Sequence, residues 1–221
     1  MKIAVLGGSF NPIHLGHLAL ADEVCQSLSY TKVLFVPTYN PPHKQAFEML
    51  SAENRLNMVK IACSYDNRFD AEDCELRRKG TSYTYDTILY LQEKYKNQLE
   101  EKIALVLGED LFFGFHNWYH AKELSELCTL VLAHRPQETH ESGFSNIPIG
   151  NYALKASENW SFLDEPLFKD AIHIQNPRLQ ISSTEIRARI AQGKSFKYLV
   201  PNGVFEYITE RGLYGASTPR K

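Results

Sequence analysis

The sequence predicts an α/β protein built as a doubly wound, mainly parallel sheet, and three observations carry the prediction. Five or six short apolar runs alternate with segments of helical period along the chain. The runs at 2–6, 32–36, 103–107 and 129–133 are largely continuous rather than alternating, as strands covered on both faces are. No composition break, linker or internal repeat divides the 221 residues, so one domain spanning 1–221 is expected, ending in a small helical part.

The first run leads into Gly7-Gly8-Ser9-Phe10-Asn11-Pro12, and a helical pattern follows with Leu18, Ala21, Cys25 and Leu28 on one side. Strand, glycine turn and helix start in succession aim backbone N–H groups and the positive end of a helix at one point, where an anion can sit. Gly7 and Gly8 let the backbone approach a ligand, having no Cβ in the way. His14 and His17 are three apart and share a face if the helix has begun by His14. Plainer readings stay open: Gly-Gly can be a simple turn, and His-x-x-His can be surface decoration or half of a metal site. No nearby cysteine or glutamate completes a zinc set, so no metal site is expected. The turn is also neither G-x-G-x-x-G nor a Walker loop.

Residues 32–36 lead into a loop with Pro41-Pro42-His43-Lys44, where adjacent prolines exclude helix. Open α/β sheets place ligands at the carboxyl ends of strands, so His43 and Lys44 either add positive charge to such a crevice or are ordinary solvated loop residues. Ser51 caps a helix with Leu56, Val59, Ile61 and Ala62 inward. Residues 69–79 read as an irregular strand through Cys74-Glu75-Leu76. After Tyr83, Thr84 caps a helix to about Tyr95 with Ile88, Leu89 and Leu91 inward, and its start can receive an anionic group such as a carboxylate.

Residues 103–107 end in Gly108-Glu109-Asp110, where an acid can bond ribose hydroxyls or cap a short helix at 111–114. Trp118 and Tyr119 follow, and the tryptophan either packs beneath its loop or stacks on a ligand ring. A short helix at 120–127 precedes the strand at 129–133, which Arg135-Pro136 closes. Periodicity fails over 137–170, an insertion or irregular surface segment, before one more strand at 172–174. Ile181-Ser182-Ser183-Thr184 start a helix that Gly193 ends, with Arg187 about one turn in. Capping explains the hydroxyls but not the arginine, which makes a second phosphate-shaped site. A last helix at about 204–211 stops at Gly212, and the tail 215–221 is expected to be loose.

The totals narrow the partners. With 24 basic against 26 acidic residues the net charge is −2, which gives no reason to expect nucleic acid or an anionic membrane. Cys25, Cys63, Cys74 and Cys128 are scattered without any C-x-x-C pair, as free thiols of a reducing, cytoplasmic compartment are. No apolar run approaches membrane-spanning length. A homo-oligomer is compatible with the sequence.

These pieces also resemble a known family. Gly7 to His17, with His14-Leu15-Gly16-His17 inside it, and Ile181-Ser182-Ser183-Thr184-Glu185-Ile186-Arg187 resemble the nucleotidyltransferase superfamily that carries the (H/T)-x-G-H signature. The Pro41 to Lys44 run, Ser82-Tyr83-Thr84, Gly108-x-Asp110, Trp118-Tyr119 and Arg211-Gly212-Leu213-Tyr214 are similar to its bacterial nicotinate-nucleotide adenylyltransferase branch. The similarity covers about 1–136 and 171–214, and Glu109 departs from it where relatives more often carry a neutral residue.

The resemblance implies a Rossmann-like nucleotidyltransferase fold. It implies ATP and nicotinate mononucleotide as partners, Mg²⁺ carried with ATP, and deamido-NAD and pyrophosphate as products. By similarity, His14, His17 and Arg187 are catalytic. Gly7, Gly8, Ser9, Phe10, Gly108, Asp110, Ile181, Ser182 and Ser183 bind ATP; His43, Lys44, Tyr83, Thr84, Trp118, Tyr119 and Arg135 bind the acceptor. The alternatives are a different acceptor (nicotinamide mononucleotide, phosphopantetheine or another phosphate) and a non-catalytic nucleotide sensor. Intact His14, His17 and Arg187 argue against the sensor.

Overall fold

The computed structural model describes residues 1–39, 49–108, 111–112, 114–133, 165–177 and 179–216. Six strands, β1 (Ile3–Gly8), β2 (Lys32–Pro37), β3 (Phe69–Ala71), β4 (Ala104–Gly108), β5 (Thr129–Ala133) and β6 (Ile172–Ile174), form one sheet in the order β3-β2-β1-β4-β5-β6. Every pairing is parallel. The chain winds outward from β1 in one direction and from β4 in the other, so the switch point lies between these two strands. The crevice at their carboxyl ends is where such sheets take ligands. Gly7 and Gly8 end β1 there, and Gly108 ends β4.

Period-two alternation sends Ala4 and Leu6 to one face of the sheet and Ile3 and Val5 to the other. The first face is covered by α1 (Leu15–Leu28), α2 (Ala52–Cys63), α6 (Ser183–Ala191) and α7 (Asn202–Glu210), through residues such as Val24, Met58, Ile186 and Val204. The second is covered by α3 (Cys74–Arg78), α4 (Thr84–Tyr95) and α5 (Ala121–Leu127), through Cys74, Ile88 and Leu124. This is the doubly wound architecture expected, with α6 and α7 as its small C-terminal helical part. Among the described residues no helix is long and apolar enough to cross a membrane.

Several local expectations are corrected. Cys74-Glu75-Leu76 is the start of α3 and not a strand, because Arg77 Nε pairs with Asp73 Oδ1 (2.6 Å) one helical turn back. In α4 the inward positions are Thr87, Ile88 and Leu91, whereas Leu89 is 41% exposed. Polar Thr87 takes the buried place because its hydroxyl meets Glu75 Oε1 at 2.8 Å. The cap of α4 is Tyr83, one residue before Thr84. A 3₁₀ turn lies at Phe115–Asn117, and Phe112 and Phe115 both pack onto Phe168; the short helix expected at 111–114 falls partly outside the described residues. Phe168 sits in a further 3₁₀ turn, Pro166–Phe168, so the end of the stretch expected to be irregular is anchored in the core. Residues 137–164 lie outside the described residues. At the start of the tail, Gly215 closes the 3₁₀ turn Leu213–Gly215, and Ala216 packs on the first core. The remainder of the tail, 217–221, lies outside the described residues.

Candidate active site

At the switch point the start of α1 is built from the two histidines. His14 is the N-cap, in extended backbone, and His17 occupies the third helical position. His17 Nδ1 accepts the backbone N–H of His14 (3.2 Å), and the two imidazoles stack with centroids 3.7 Å apart and planes 25° from parallel. A Cβ on Gly16 would lie 3.1 Å from His14 Nδ1, so the glycine between the histidines leaves room for the ring. The pair therefore shares a surface as expected, although His14 lies just outside the helix.

The turn before it is shaped by Phe10, whose φ of 45° lies in the left-handed region. Its buried ring meets His17 edge-on at 5.1 Å and Phe35 at 5.8 Å, a wedge beneath the imidazole. The Phe10 side chain is thus committed to packing. A Cβ on Gly8 would come within 3.3 Å of the Phe10 ring, while one on Gly7 would meet nothing within 4 Å. Packing against Phe10 thus also favours glycine at Gly8, whereas Gly7 lies in open space.

The start of α6 docks against this turn. Ser183 Oγ donates to the Pro12 carbonyl (2.8 Å), and Arg187 Nη1 donates to the Asn11 carbonyl (2.9 Å). Ser182 is the N-cap, its Oγ accepting from Glu185 N–H (3.1 Å), and as a hydroxyl it keeps a proton to donate. Ile181 presents its carbonyl 3.8 Å from the Cβ position of Gly16. Leu15 N–H reaches the Leu199 carbonyl at 3.0 Å, completing the seam between the N-terminal turn and the C-terminal helices. His14, His17, Ser182, Ser183 and Arg187 are thereby brought to one edge by segments at opposite ends of the chain.

Three residues of this site were not predicted as such. Asn11 is a hub: its Oδ1 accepts from Tyr214 Oη (2.8 Å) and from Leu50 N–H (3.2 Å). Tyr214 reaches it from the last 3₁₀ turn, with burial pushing its phenol well above the usual tyrosine range. Arg55 is 1% exposed and donates to the carbonyls of Ser9, Leu50 and Tyr39. One signal for Arg55 was present in the sequence: 55, 58, 59 and 62 follow helical spacing, and all four are buried.

A second group gathers at the same edge, because each helix that leads into a parallel strand starts there. Tyr83, at the start of α4, lies against Tyr119, which precedes α5, with ring centroids 4.5 Å apart. The two are 39% and 48% exposed. Trp118 is half-buried and packs on Phe115 at 5.2 Å, so much of its surface is committed beneath the loop. Thr84 is the first residue of α4. Behind it Glu75, buried, has its carboxyl raised above the usual range by desolvation, which outweighs bonds from Thr87 and Ser82 and the fields of Arg78 and Arg55. Gly108 lies one strand from Gly7 through the β1–β4 pairs Ala4↔Ala104 and Val5↔Leu105. His43, Lys44, Asp110 and Arg135 lie outside the described residues. Among the described residues no group of three His, Cys, Asp or Glu side chains is placed to hold a metal ion.

Two imidazoles, a guanidinium and two helix starts lie along the carboxyl edge of a doubly wound sheet at its switch point, an arrangement whose chemistry suits an anion. The chain matches the cytidylyltransferase-like family over residues 5–189 and belongs to that family, in its nicotinate-nucleotide adenylyltransferase branch. Two relatives described as probable nicotinate-nucleotide adenylyltransferases carry the likeness almost end to end. That of Borreliella afzelii is 40% identical over 97% of both chains. That of Treponema pallidum subsp. pallidum is 41% identical over 97% of this chain and 99% of its own. Among solved structures, the Plasmodium falciparum nicotinic acid mononucleotide adenylyltransferase complexed with NaAD superposes with a TM-score of 0.67. It covers 98% of each chain at 19% identity, a likeness of fold.

Proposed function

We propose that the protein transfers the adenylyl group of ATP to nicotinate mononucleotide, releasing pyrophosphate and forming deamido-NAD. Family membership supports the reaction class and acceptor. The single structural observation that carries the reading is the docking of Arg187 onto the turn that leads into the stacked His14–His17 pair. It supports a reading in which two imidazoles and a guanidinium attend one helix start that suits an anion.

In the reaction a phosphate oxygen of the acceptor attacks the α-phosphorus of ATP in line. The new P–O bond forms as the bond from the α-phosphorus to the bridging oxygen of the β-phosphate breaks, and pyrophosphate leaves with that electron pair. No enzyme nucleophile is needed, so the residues work by positioning and by neutralising charge. His14 and His17 contact the phosphates at the start of α1. Arg187 and the start of α6, with Ile181, Ser182 and Ser183, hold the β- and γ-phosphates; Ser183 acts through its backbone, since its hydroxyl proton is directed to Pro12. Gly7 and Ser9 line the turn, and Gly108 with Asp110 receives the ribose. Tyr83, Thr84, Trp118 and Tyr119 form the acceptor side, with His43, Lys44 and Arg135 supplying positive charge. Mg²⁺ would come bound to the oxygens of ATP and would supply charge screening there, with no residue of the chain assigned to hold it. Hard cations prefer oxygen ligands, which the triphosphate supplies and the imidazole-lined turn does not.

The test is a pyrophosphate assay with MgATP and each acceptor in turn. Strong turnover with nicotinate mononucleotide and much weaker turnover with the amide is the expected result. Equal rates remove the carboxylate selectivity, and no turnover with either removes the acceptor class.

A further inference from the structure

We infer that Arg55 is a positioning residue of the transfer site, one guanidinium that locks the glycine turn to the two backbone ends flanking Pro41-Pro42-His43-Lys44. The inference deepens, and rests on, the adenylyl-transfer reading above. Nη1 donates to the Ser9 carbonyl (2.8 Å), Nη2 to the Tyr39 carbonyl (3.3 Å) and Nε to the Leu50 carbonyl (3.2 Å). Ser9 belongs to the turn after β1, Tyr39 follows β2, and Leu50 precedes α2. Leu50 is held twice, because its N–H donates to Asn11 Oδ1 (3.2 Å) on the same turn.

A side chain needed only for packing would not look like this. Arg55 is 1% exposed, and burial pulls its pKa down, with the Tyr214 phenol and Glu75 as the groups that oppose the shift. Its three hydrogen bonds go to neutral carbonyls. Burying a charge is costly, and apolar residues of similar volume often serve stability as well. A planar guanidinium supplies what an apolar side chain does not: donors in fixed directions that hold three segments in one relative arrangement. It also keeps a cation behind the turn where the triphosphate binds, in surroundings that screen charge less than water does. The arrangement fixes Ser9, and through the turn the stacked histidines, relative to the edge from which the acceptor side is built.

The experiment uses full-length Arg55→Lys and Arg55→Met, each assayed well below its own Tm so that the folded fraction is complete. MgATP affinity is read by calorimetry, and kcat and KM by pyrophosphate release with nicotinate mononucleotide. Arg55→Lys keeps the charge but cannot span three carbonyls. It is expected to weaken MgATP binding and lower kcat, each by about fivefold or more, as misplacement of a positioned site does; Arg55→Met is expected to lose more. A purely structural arginine would lower Tm and leave both parameters of the folded enzyme within that fivefold limit, and this result overturns the inference. Wild-type protein that binds MgATP but makes no pyrophosphate refutes the acceptor reading instead, and the MgATP affinity ratio alone then decides for Arg55. Should neither variant fold, hydrogen exchange on the wild-type protein decides. Amides of 9–11 and 50–52 protected together by MgATP alone support the lock, and independent exchange of the two segments overturns it.

Discussion

The Arg187 guanidinium donates to the Asn11 carbonyl at 2.9 Å, across 176 positions of sequence. Its other Nη reaches Thr184 Oγ1 at 3.4 Å, so the side chain is aimed along the start of α6 and not into solvent at large. Arg187→Ala is expected to lower kcat/KM for ATP by roughly 100-fold, the scale of losing one positioned donor. Arg187→Lys should recover only part, because an ammonium lacks the planar pair of donors. Steady-state kinetics with a melting curve for each variant check this; full activity in Arg187→Lys would remove the geometric requirement.

His17 has two roles that separate in a single variant. Its Nδ1 caps the His14 N–H, and loss of such a cap costs about 1 kcal/mol. Its catalytic share is larger: His17→Ala should lower kcat by roughly 10²–10³-fold in a protein that still folds. Chemical denaturation and pyrophosphate release measure the two. A kcat within a few-fold of wild type would move the phosphate-stabilising role elsewhere.

On the acceptor side, Trp118 and Tyr119 should respond differently. Trp118 packs on Phe115, so Trp118→Ala is expected to cost about 3 kcal/mol of stability in addition to any loss of acceptor binding. Tyr119 is 48% exposed and lies at a tilt against Tyr83, so Tyr119→Ala should leave stability nearly unchanged. If the exposed pair receives the pyridine ring, acceptor binding weakens by roughly 1–3 kcal/mol, the range of base–aromatic stacking. An unchanged acceptor Kd in Tyr119→Ala with a weakened one in the milder Trp118→Phe would assign the stacking to the tryptophan.

Glu75 predicts a pH dependence of stability. Burial raises its carboxyl above the ordinary value of 4.5, so the folded protein keeps this proton to higher pH than the unfolded chain does. In that window the folded state binds more protons, and stability therefore falls as pH rises. Its contribution is full below about pH 4.5 and is lost on passing upward through the raised pKa. Glu75→Gln removes this dependence, so the difference in unfolding free energy should shift in favour of the glutamine variant as pH rises above 4.5. Parallel urea titrations at several pH values test it; a constant difference would show that the carboxyl does not titrate there.

The four cysteines predict chemical quiet. Cys25, Cys63, Cys74 and Cys128 are all buried and unpaired by disulfides. Desolvation raises the Cys25 thiol and pushes those of Cys63, Cys74 and Cys128 up to about 12. A thiol reagent at neutral pH should label the native protein slowly and the unfolded protein at all four positions. Rapid labelling of the native protein would contradict this burial.

Much of this architecture was legible because parallel strands leave continuous apolar runs and their helices leave a period of about 3.6 residues. The turn after β1 and the helix start that follows it were legible too, since glycines, a proline and the spaced histidines are local signals. Asn11, Arg55 and Tyr214 were not read, for one shared reason: their partners are backbone carbonyls, N–H groups and side chains far away in sequence. Leu89 and Thr87 exchanged places because a buried glutamate offered the threonine hydroxyl a partner, which hydrophobic period alone does not register. Gly8 illustrates a subtler point. The sequence suggested ligand approach, and the structure adds a second demand on the same position, since a Cβ there would come within 3.3 Å of the Phe10 ring.

The seam between Asn11 and Arg187 also bears on how the protein is made. Synthesis proceeds from the N-terminus, so the glycine turn and its histidines leave the ribosome long before the segment that anchors them. Prematurely terminated copies of the chain would therefore carry the histidine signature without the arginine that completes its surroundings. Until that segment arrives, the turn lacks both the guanidinium donation to Asn11 and the hydroxyl donation to Pro12, so this seam closes only after most of the chain has been made.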